Sequence, residues 1–395
     1  MDGLALIELS KSSQQMKNII TRSPILSDIL NVFLREITKI KKILNERHAK
    51  NIINKNRAGK IAQEIRRHPE GVVSDAFKSI GNPGAPWRLH GKKLYELTKL
   101  NLCDKGLKAA HMKILSILIA SGALTKLTFL GLGSNQIGDD GVTVLAGVIA
   151  TGSLGALKEL SLRGNDIGDV GMTEFSRAIS NGSLGALKEL YLGRNKFGDT
   201  GMTELSRAIA SGSLGSLKRL SLCGNQISDA GVTALAGAIS SGSLGSLETL
   251  WLDQNQIGDK GMKAFAAASG SLGALEDLHL QGNKIGDAGM TSLAGAIASG
   301  SLPAIKQVVL SYNPGNDVPV KNARLSRAIS SGSLRGLKAL HFKKIGDAGM
   351  TELSRAISSG SLPSLQQIYL SRNRNNHPEL TAACQRRGIE IKHIL

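Results

Sequence analysis

The chain is poor in the residues that most often announce a chemistry. Its three cysteines, Cys103, Cys223 and Cys384, are scattered. They form neither a disulfide framework nor a metal-ligand spacing, which points to a reducing compartment, cytoplasm or nucleus. Long apolar runs are missing too. The strongest, Ile114 to Ala120, is far too short to cross a bilayer. The first residues, Met1-Asp2-Gly3-Leu4, show no basic segment followed by an apolar one, so no secretory signal is evident. No phosphate-binding G-x-x-x-x-G-K-[ST] occurs: Gly59-Lys60 is followed by Ile61, and Gly91-Lys92 by Lys93. The eight His have no paired ligand spacing. His341 with Asp253 or Asp277 imitates a catalytic pair on paper, but no positioned nucleophile accompanies them. The expectation is a non-enzyme with no cofactor, no metal and no evident small-molecule substrate.

Negative charge is also scarce. Lys and Arg number 49 against 31 Asp and Glu, a net charge of +18. Residues 34–67 alone hold 11 basic and 3 acidic side chains. Such an excess favours acidic partners: an acidic protein surface, or nucleic acid or an anionic membrane met through 34–67. Phe33 is the one aromatic bordering that segment, so base stacking has little support there. Ser23-Pro24 suits a helix entry, and Leu26, Leu30, Phe33, Ile37, Ile40 and Leu44 step at helical spacing. Residues 1–80 therefore read as a basic helical region. The Gly81 to Pro86 run marks a boundary, and 81–96 read as a linker and cap covering the first of the repeats that follow.

What the chain has in abundance is repetition. From Leu97 to Asn373 the pattern L-x-x-L-x-L-x-x-N-x-I-G-D-x-G, a small apolar run and S-G-S-L recurs ten times. The first leucines stand at 97, 127, 157, 187, 217, 247, 275, 305 (Ile), 337 and 365. Periods of this size mean stacked units, each unable to bury its apolar face alone. Alternation in L-x-L makes a short strand, with Leu160 and Leu162 facing inward and Glu159, Ser161 and Arg163 outward. Asn165 and its copies supply both donors and an acceptor to buried turn backbone, and stacked they form a ladder. Asp169 suits the N-cap of the following helix. Met172, Phe175 and Ile179 make that helix's buried stripe, and Gly182 suits its left-handed C-terminal position.

These motifs resemble the leucine-rich repeat family in its ribonuclease-inhibitor-like subtype, over residues 97–395. The resemblance implies an α/β solenoid: a horseshoe with a parallel sheet inside and helices outside, and an α-helical cap region at the N-terminus. It also implies a scaffold that binds a protein partner on its concave face. Two further functions follow from relatives of this subtype, activation of a small GTPase and an adaptor in immune-sensor-like signalling. The first is disfavoured because the chain ends Arg386 to Leu395 without the acidic tail of those relatives. Direct ribonuclease inhibition is disfavoured by the low cysteine content and the positive charge.

The repeats also serve as each other's controls. Leu, Asn, Asp and Gly positions hardly vary, and the helix stretches are near copies, whereas three outward rows of the strand vary freely. Three of the six Trp and Tyr, namely Tyr191, Trp251 and Tyr369, stand in the middle row. Aromatics and Arg dominate binding hot spots. The candidate contact residues are therefore Glu159, Arg163, Glu189, Tyr191, Arg219, Trp251, Asp253, Asp277, His279, His341 and Tyr369. After Asn313 the pattern gives way to Pro314-Gly315-Asn316-Asp317-Val318-Pro319, and the next repeat lacks its Asn, so a kink or protruding loop is expected between 313 and 345.

Overall fold

Eleven three- to five-residue strands form one parallel sheet in which sequence order is spatial order. They are β1 (Lys99–Asn101), β2 (Phe129–Gly131), β3 (Glu159–Ser161), β4 (Glu189–Tyr191), β5 (Arg219–Ser221), β6 (Thr249–Trp251), β7 (Asp277–His279), β8 (Gln307–Val309), β9 (Ala339–Lys343), β10 (Gln367–Ser371) and β11 (Glu390–Ile394). Among the described residues the helices between them are α1 (Ala109–Ala120), α2 (Gly138–Ile149), α3 (Asp169–Ile179), α4 (Asp199–Ala210), α5 (Asp229–Ser240), α6 (Asp259–Ala268), α7 (Asp287–Ala298), α8 (Asp347–Ser358) and α9 (Pro378–Arg387). The structure is a computed structural model and describes residues 96–120, 122, 124–313, 337–343, 347–371 and 377–394. The basic region 1–80, the linker and cap as far as residue 95, and most of the irregular stretch 313–345 lie outside the described residues.

The strand is short because only its central leucine needs to point inward. In β3 and β4 the pattern is half-buried, buried, half-buried, with Leu160 and Leu190 fully enclosed. Register carries each repeat position onto its copy: Leu160 pairs Leu190, Leu190 pairs Leu220 and Leu220 pairs Leu250. The inward leucines meet the helix stripe, and Met172, Phe175 and Ile179 are all fully buried, as expected. The core is thus one continuous band between sheet and helices. Burying a side chain of this size contributes roughly 1.5–3 kcal/mol, so a solenoid gains stability with every stacked copy. Among the described residues no helix covers the sheet's other face, and that face carries the variable rows.

The asparagine ladder ties successive turns together. Asn195 Nδ2 donates to the carbonyls of Leu162 (3.0 Å) and Leu192 (2.9 Å), and its Oδ1 accepts from the amides of Asn165 (2.9 Å) and Ile167 (3.1 Å). One side chain therefore satisfies groups in two repeats. Asn135, Asn255, Asn283 and Asn313 bridge to their preceding repeats in the same way. Asn165 and Asn225 keep the donor pair, but their Oδ1 atoms are buried without a partner. Beside Asn165 the turn differs, because Gly138, at φ +61°, donates to the Asn165 main-chain carbonyl instead.

The expected N-cap role of the G-D-x-G aspartate is corrected by the structure. The N-cap of α3 is Gly168, and Asp169 is its first helical residue. The Asp169 carboxylate reaches forward into the next repeat, accepting from the amides of Gly198 and Gly201, both at 2.8 Å. Gly198 is the N-cap of α4 and Gly201 its third helical residue. These are the two amides that a Ser/Thr-x-x-Glu capping box satisfies with two side chains; here one carboxylate from the preceding repeat holds both. Asp199, Asp229 and Asp259 do the same for the next three helices. The second glycine is required by this approach, since a Cβ on Gly201 would lie 2.9 Å from Asp169 Oδ1. Gly182 has φ +81°, the left-handed value that its place after the helix predicts.

The eleventh strand was not anticipated. The sequence spacing ends with the copy containing β10, yet α9 and β11 add a closing unit. Pro378 opens α9, Gly388 ends it in the left-handed conformation, and β11 pairs β10 from Gln367↔Glu390 to Ser371↔Ile394. The signal is the alternation of Ile389 and Ile391 about Glu390.

Candidate functional site

Because register is exact, residues at equal repeat positions line up across the free sheet face. The middle row places Ser161, Tyr191, Ser221, Trp251, His279 and Val309 on consecutive strands. Ser221 is small and buried between two large neighbours, which lets Tyr191 and Trp251 lean over it with ring centroids 6.3 Å apart. Trp251 and His279 follow at 5.6 Å, tilted by 42°. Rings at these separations and tilts attract through their quadrupoles. The three rings make one continuous, half-buried aromatic surface.

Its flanks are charged. On the row before, Tyr191 donates its hydroxyl proton to Glu189 Oε2 at 2.6 Å, and Arg219 donates to Glu189 Oε1 at 2.9 Å. Burial and the Glu189 hydrogen bond push the Tyr191 phenol up to about 12, and Glu189 keeps the Arg219 guanidinium firmly charged. Glu159, beside Glu189 across the register, is raised by burial and by that neighbouring carboxylate. Asp277 and Asp253 bracket the Trp251–His279 pair, one on each side row, and burial raises both carboxyls. Burial lowers His279 although Asp253 and Asp277 both pull it upward. Arg163 lies on the turn side of the face and, with Arg194 of the adjacent turn, acts on Asp253.

His341 and Tyr369 fall in the same middle row but belong to a separate group. Buried Val309 stands between His279 and His341. His341 and Tyr369 stack nearly parallel, with centroids 4.0 Å apart and planes 8° apart, and burial holds the His341 imidazole down at about 4. Lys392 of β11 sits 5.4 Å from the Tyr369 ring centre. Lys392 was missed by sequence reasoning together with its strand. The candidate residues thus divide into a Tyr191–Trp251–His279 surface with its carboxylates, and a His341–Tyr369–Lys392 stack. Among the described residues His341 is not paired with Asp253 or Asp277: the titratable neighbour acting on it is His279.

The motif that builds this face is matched by a family model for the leucine-rich repeat at residues 123–146, 157–176, 187–206, 216–236, 246–266 and 275–294. The chain is a leucine-rich repeat protein. Among solved structures, an internalin from Listeria monocytogenes is similar at 20% identity, covering 76% of this chain and 87% of that one, with a TM-score of 0.42. TLR13 in complex with the single-stranded RNA ssRNA13 is similar at 17% identity, covering 69% of this chain and 43% of that one, with a TM-score of 0.35. No curated protein matches the sequence.

Among the described residues no group of three or more His, Cys, Asp or Glu is placed to hold a metal ion, and no helix is long and apolar enough to cross a membrane. The face offers rings, fixed carboxylates and hydrogen-bonding side chains on a rigid sheet. Such preorganisation lowers the ordering cost of binding.

Proposed function

We propose that the protein is a non-enzymatic interaction module whose free sheet face grips a protein partner. The observation that carries this reading is the Tyr191–Trp251–His279 surface. Three rings follow one another at a tilt on the side of the sheet that no helix covers among the described residues, in the variable rows of an otherwise repetitive scaffold. Large aromatics at the centre of a rigid surface are the residues on which binding energy concentrates. We read the repeats, with their long helical return, as the ribonuclease-inhibitor-like subtype, a reading that suits the same use of the face. Three free cysteines, one buried and two half-buried, support a reducing compartment, cytoplasm or nucleus.

The net charge of the chain favours an acidic partner, but this face does not. Its rows from β3 to β7 hold Glu159, Glu189, Asp253 and Asp277 against Arg163 and Arg219. An acidic partner is better served elsewhere on the molecule. The test is an affinity capture comparing wild type with a Tyr191→Ala/Trp251→Ala variant of unchanged thermal midpoint. Loss of specific partners from the variant is expected; identical recovery would refute the reading.

A further inference from the structure

We propose that the Trp251 surface receives a cationic side chain, arginine or lysine, from the partner protein, with Asp253 and Asp277 as its counter-charges. The proposal rests on the reading of this face as a binding surface and names the chemistry of what it binds.

Three observations carry it. The face is locally acidic in a chain of net charge +18. The Glu189 carboxylate is already engaged by Arg219 and Tyr191, whereas the two carboxylates around Trp251 feel their basic neighbours, Arg163 and Arg194 on Asp253 and Lys306 and Arg219 on Asp277, only through space and without a close ion pair among the described residues. Asp253 follows Trp251 by two residues on the same side of β6, and Asp277 precedes His279 by two on β7, directly across from Thr249. Trp251 and His279 lie between them, and His279 is coupled electrostatically to both. Burial disfavours the protonated form of His279, and the two acids favour it. A guanidinium or ammonium laid on the indole face gains the ring's quadrupole attraction and both carboxylates at once. Lys392 over Tyr369 shows the same pairing of cation and ring within this fold. A polyanion placed there would meet like charge from Asp253 and Asp277, which disfavours nucleic acid at this point of the face.

The test uses the full chain carrying Trp87→Phe, leaving Trp251 as the one tryptophan emitter. Hexa-arginine is titrated at low salt while Trp251 fluorescence is followed. The emission is expected to change saturably, and Asp253→Asn/Asp277→Asn is expected to weaken the apparent affinity by at least about tenfold. Unchanged far-ultraviolet dichroism and thermal midpoint in that variant separate the effect from unfolding. Equal affinity in the double variant, or no response of Trp251 to hexa-arginine, would overturn the proposal. A response to single-stranded oligouridylate or hexa-glutamate in place of hexa-arginine would overturn it as well. Failure of the broader reading looks different: partner capture would then be indifferent to Tyr191→Ala/Trp251→Ala. If capture depends on those rings but not on Asp253 and Asp277, the face binds and the cationic assignment alone is wrong.

Discussion

Asp169→Ala should loosen the helix after its own. In the structure its carboxylate receives the amides of Gly198 and Gly201 at 2.8 Å, residues 29 and 32 positions further on. Hydrogen bonds to a charged acceptor are worth about 1.5–3 kcal/mol each when buried. Asp169 is half-buried, and loss of a capping side chain typically costs about 1 kcal/mol and up to about 2. With two amides released, about 2 kcal/mol is the reasonable sum. Because each repeat contacts only its neighbours, the loss should appear locally, as about thirtyfold faster exchange at Gly198 and Gly201. Amides at the start of α3 should change little, since Gly168 is held by Asp139 at 2.6 Å. The replacement also removes a favourable charge from the first turn of α3, worth about 0.5 kcal/mol. Asp169→Asn separates the two contributions: it keeps the acceptor and should restore most of the protection at Gly198 and Gly201. Native-state hydrogen exchange by NMR reads each amide. If protection falls at Val170–Met172 and stays intact at Gly198 and Gly201, the forward relay is wrong and the aspartate is a local cap.

Other outcomes follow from the same geometry. Gly201→Ala forces a Cβ against Asp169 Oδ1 and Met172 at 2.9 Å and should destabilise by about 1–3 kcal/mol, whereas Gly147→Ala in exposed, open helix surface should stabilise by about 0.5–1 kcal/mol; denaturant midpoints decide both. Asn195→Ala strands the amides of Asn165 and Ile167 in the buried ladder, while the Leu162 and Leu192 carbonyls keep Asn165 Nδ2 and Asn225 Nδ2, and should cost about 2–4 kcal/mol in the same assay. The Tyr191 phenol, raised to about 12, is held in its protonated form by the fold. Its contribution to stability is complete below the ordinary tyrosine value near 10 and lost as pH rises from there through about 12. The difference in ultraviolet phenolate titration between wild type and Tyr191→Phe should show that late step. His341, lowered to about 4, favours the neutral ring, so its contribution is present above about 6.5 and lost as pH falls through about 4. Its ring proton shifts should remain those of neutral imidazole at pH 5.

Most of the fold was legible because its determinants recur at fixed spacing. Leu160, Leu190 and Leu220 announce a strand core by alternation, and Asn165 announces a turn by its hydrogen-bonding capacity. The aspartate was misassigned for a physical reason. A sequence window shows Asp169 next to the helix it begins, while the amides it satisfies lie one repeat away in sequence and adjacent only after stacking. The closing strand escaped because Ile389 and Ile391 alternate for one step only, without the Leu-x-x-Leu spacing that marks the other copies. At the site, register makes Tyr191, Trp251 and His279 neighbours as soon as the repeats are aligned. The role of Ser221 is not visible that way: a small buried residue between two rings matters only when their tilt is known. Nor does the net charge of +18 reveal that the patch around Trp251 is acidic.

The central claim is that binding takes place on the free sheet face and not on the helical side. A photo-crosslinking amino acid placed at Tyr191, and separately at exposed Val170 at the start of α3, tests it directly in cell extract. The account predicts a discrete adduct from position 191 that excess unlabelled wild-type protein abolishes, and none from position 170. A competable adduct from position 170 with none from 191 would contradict it.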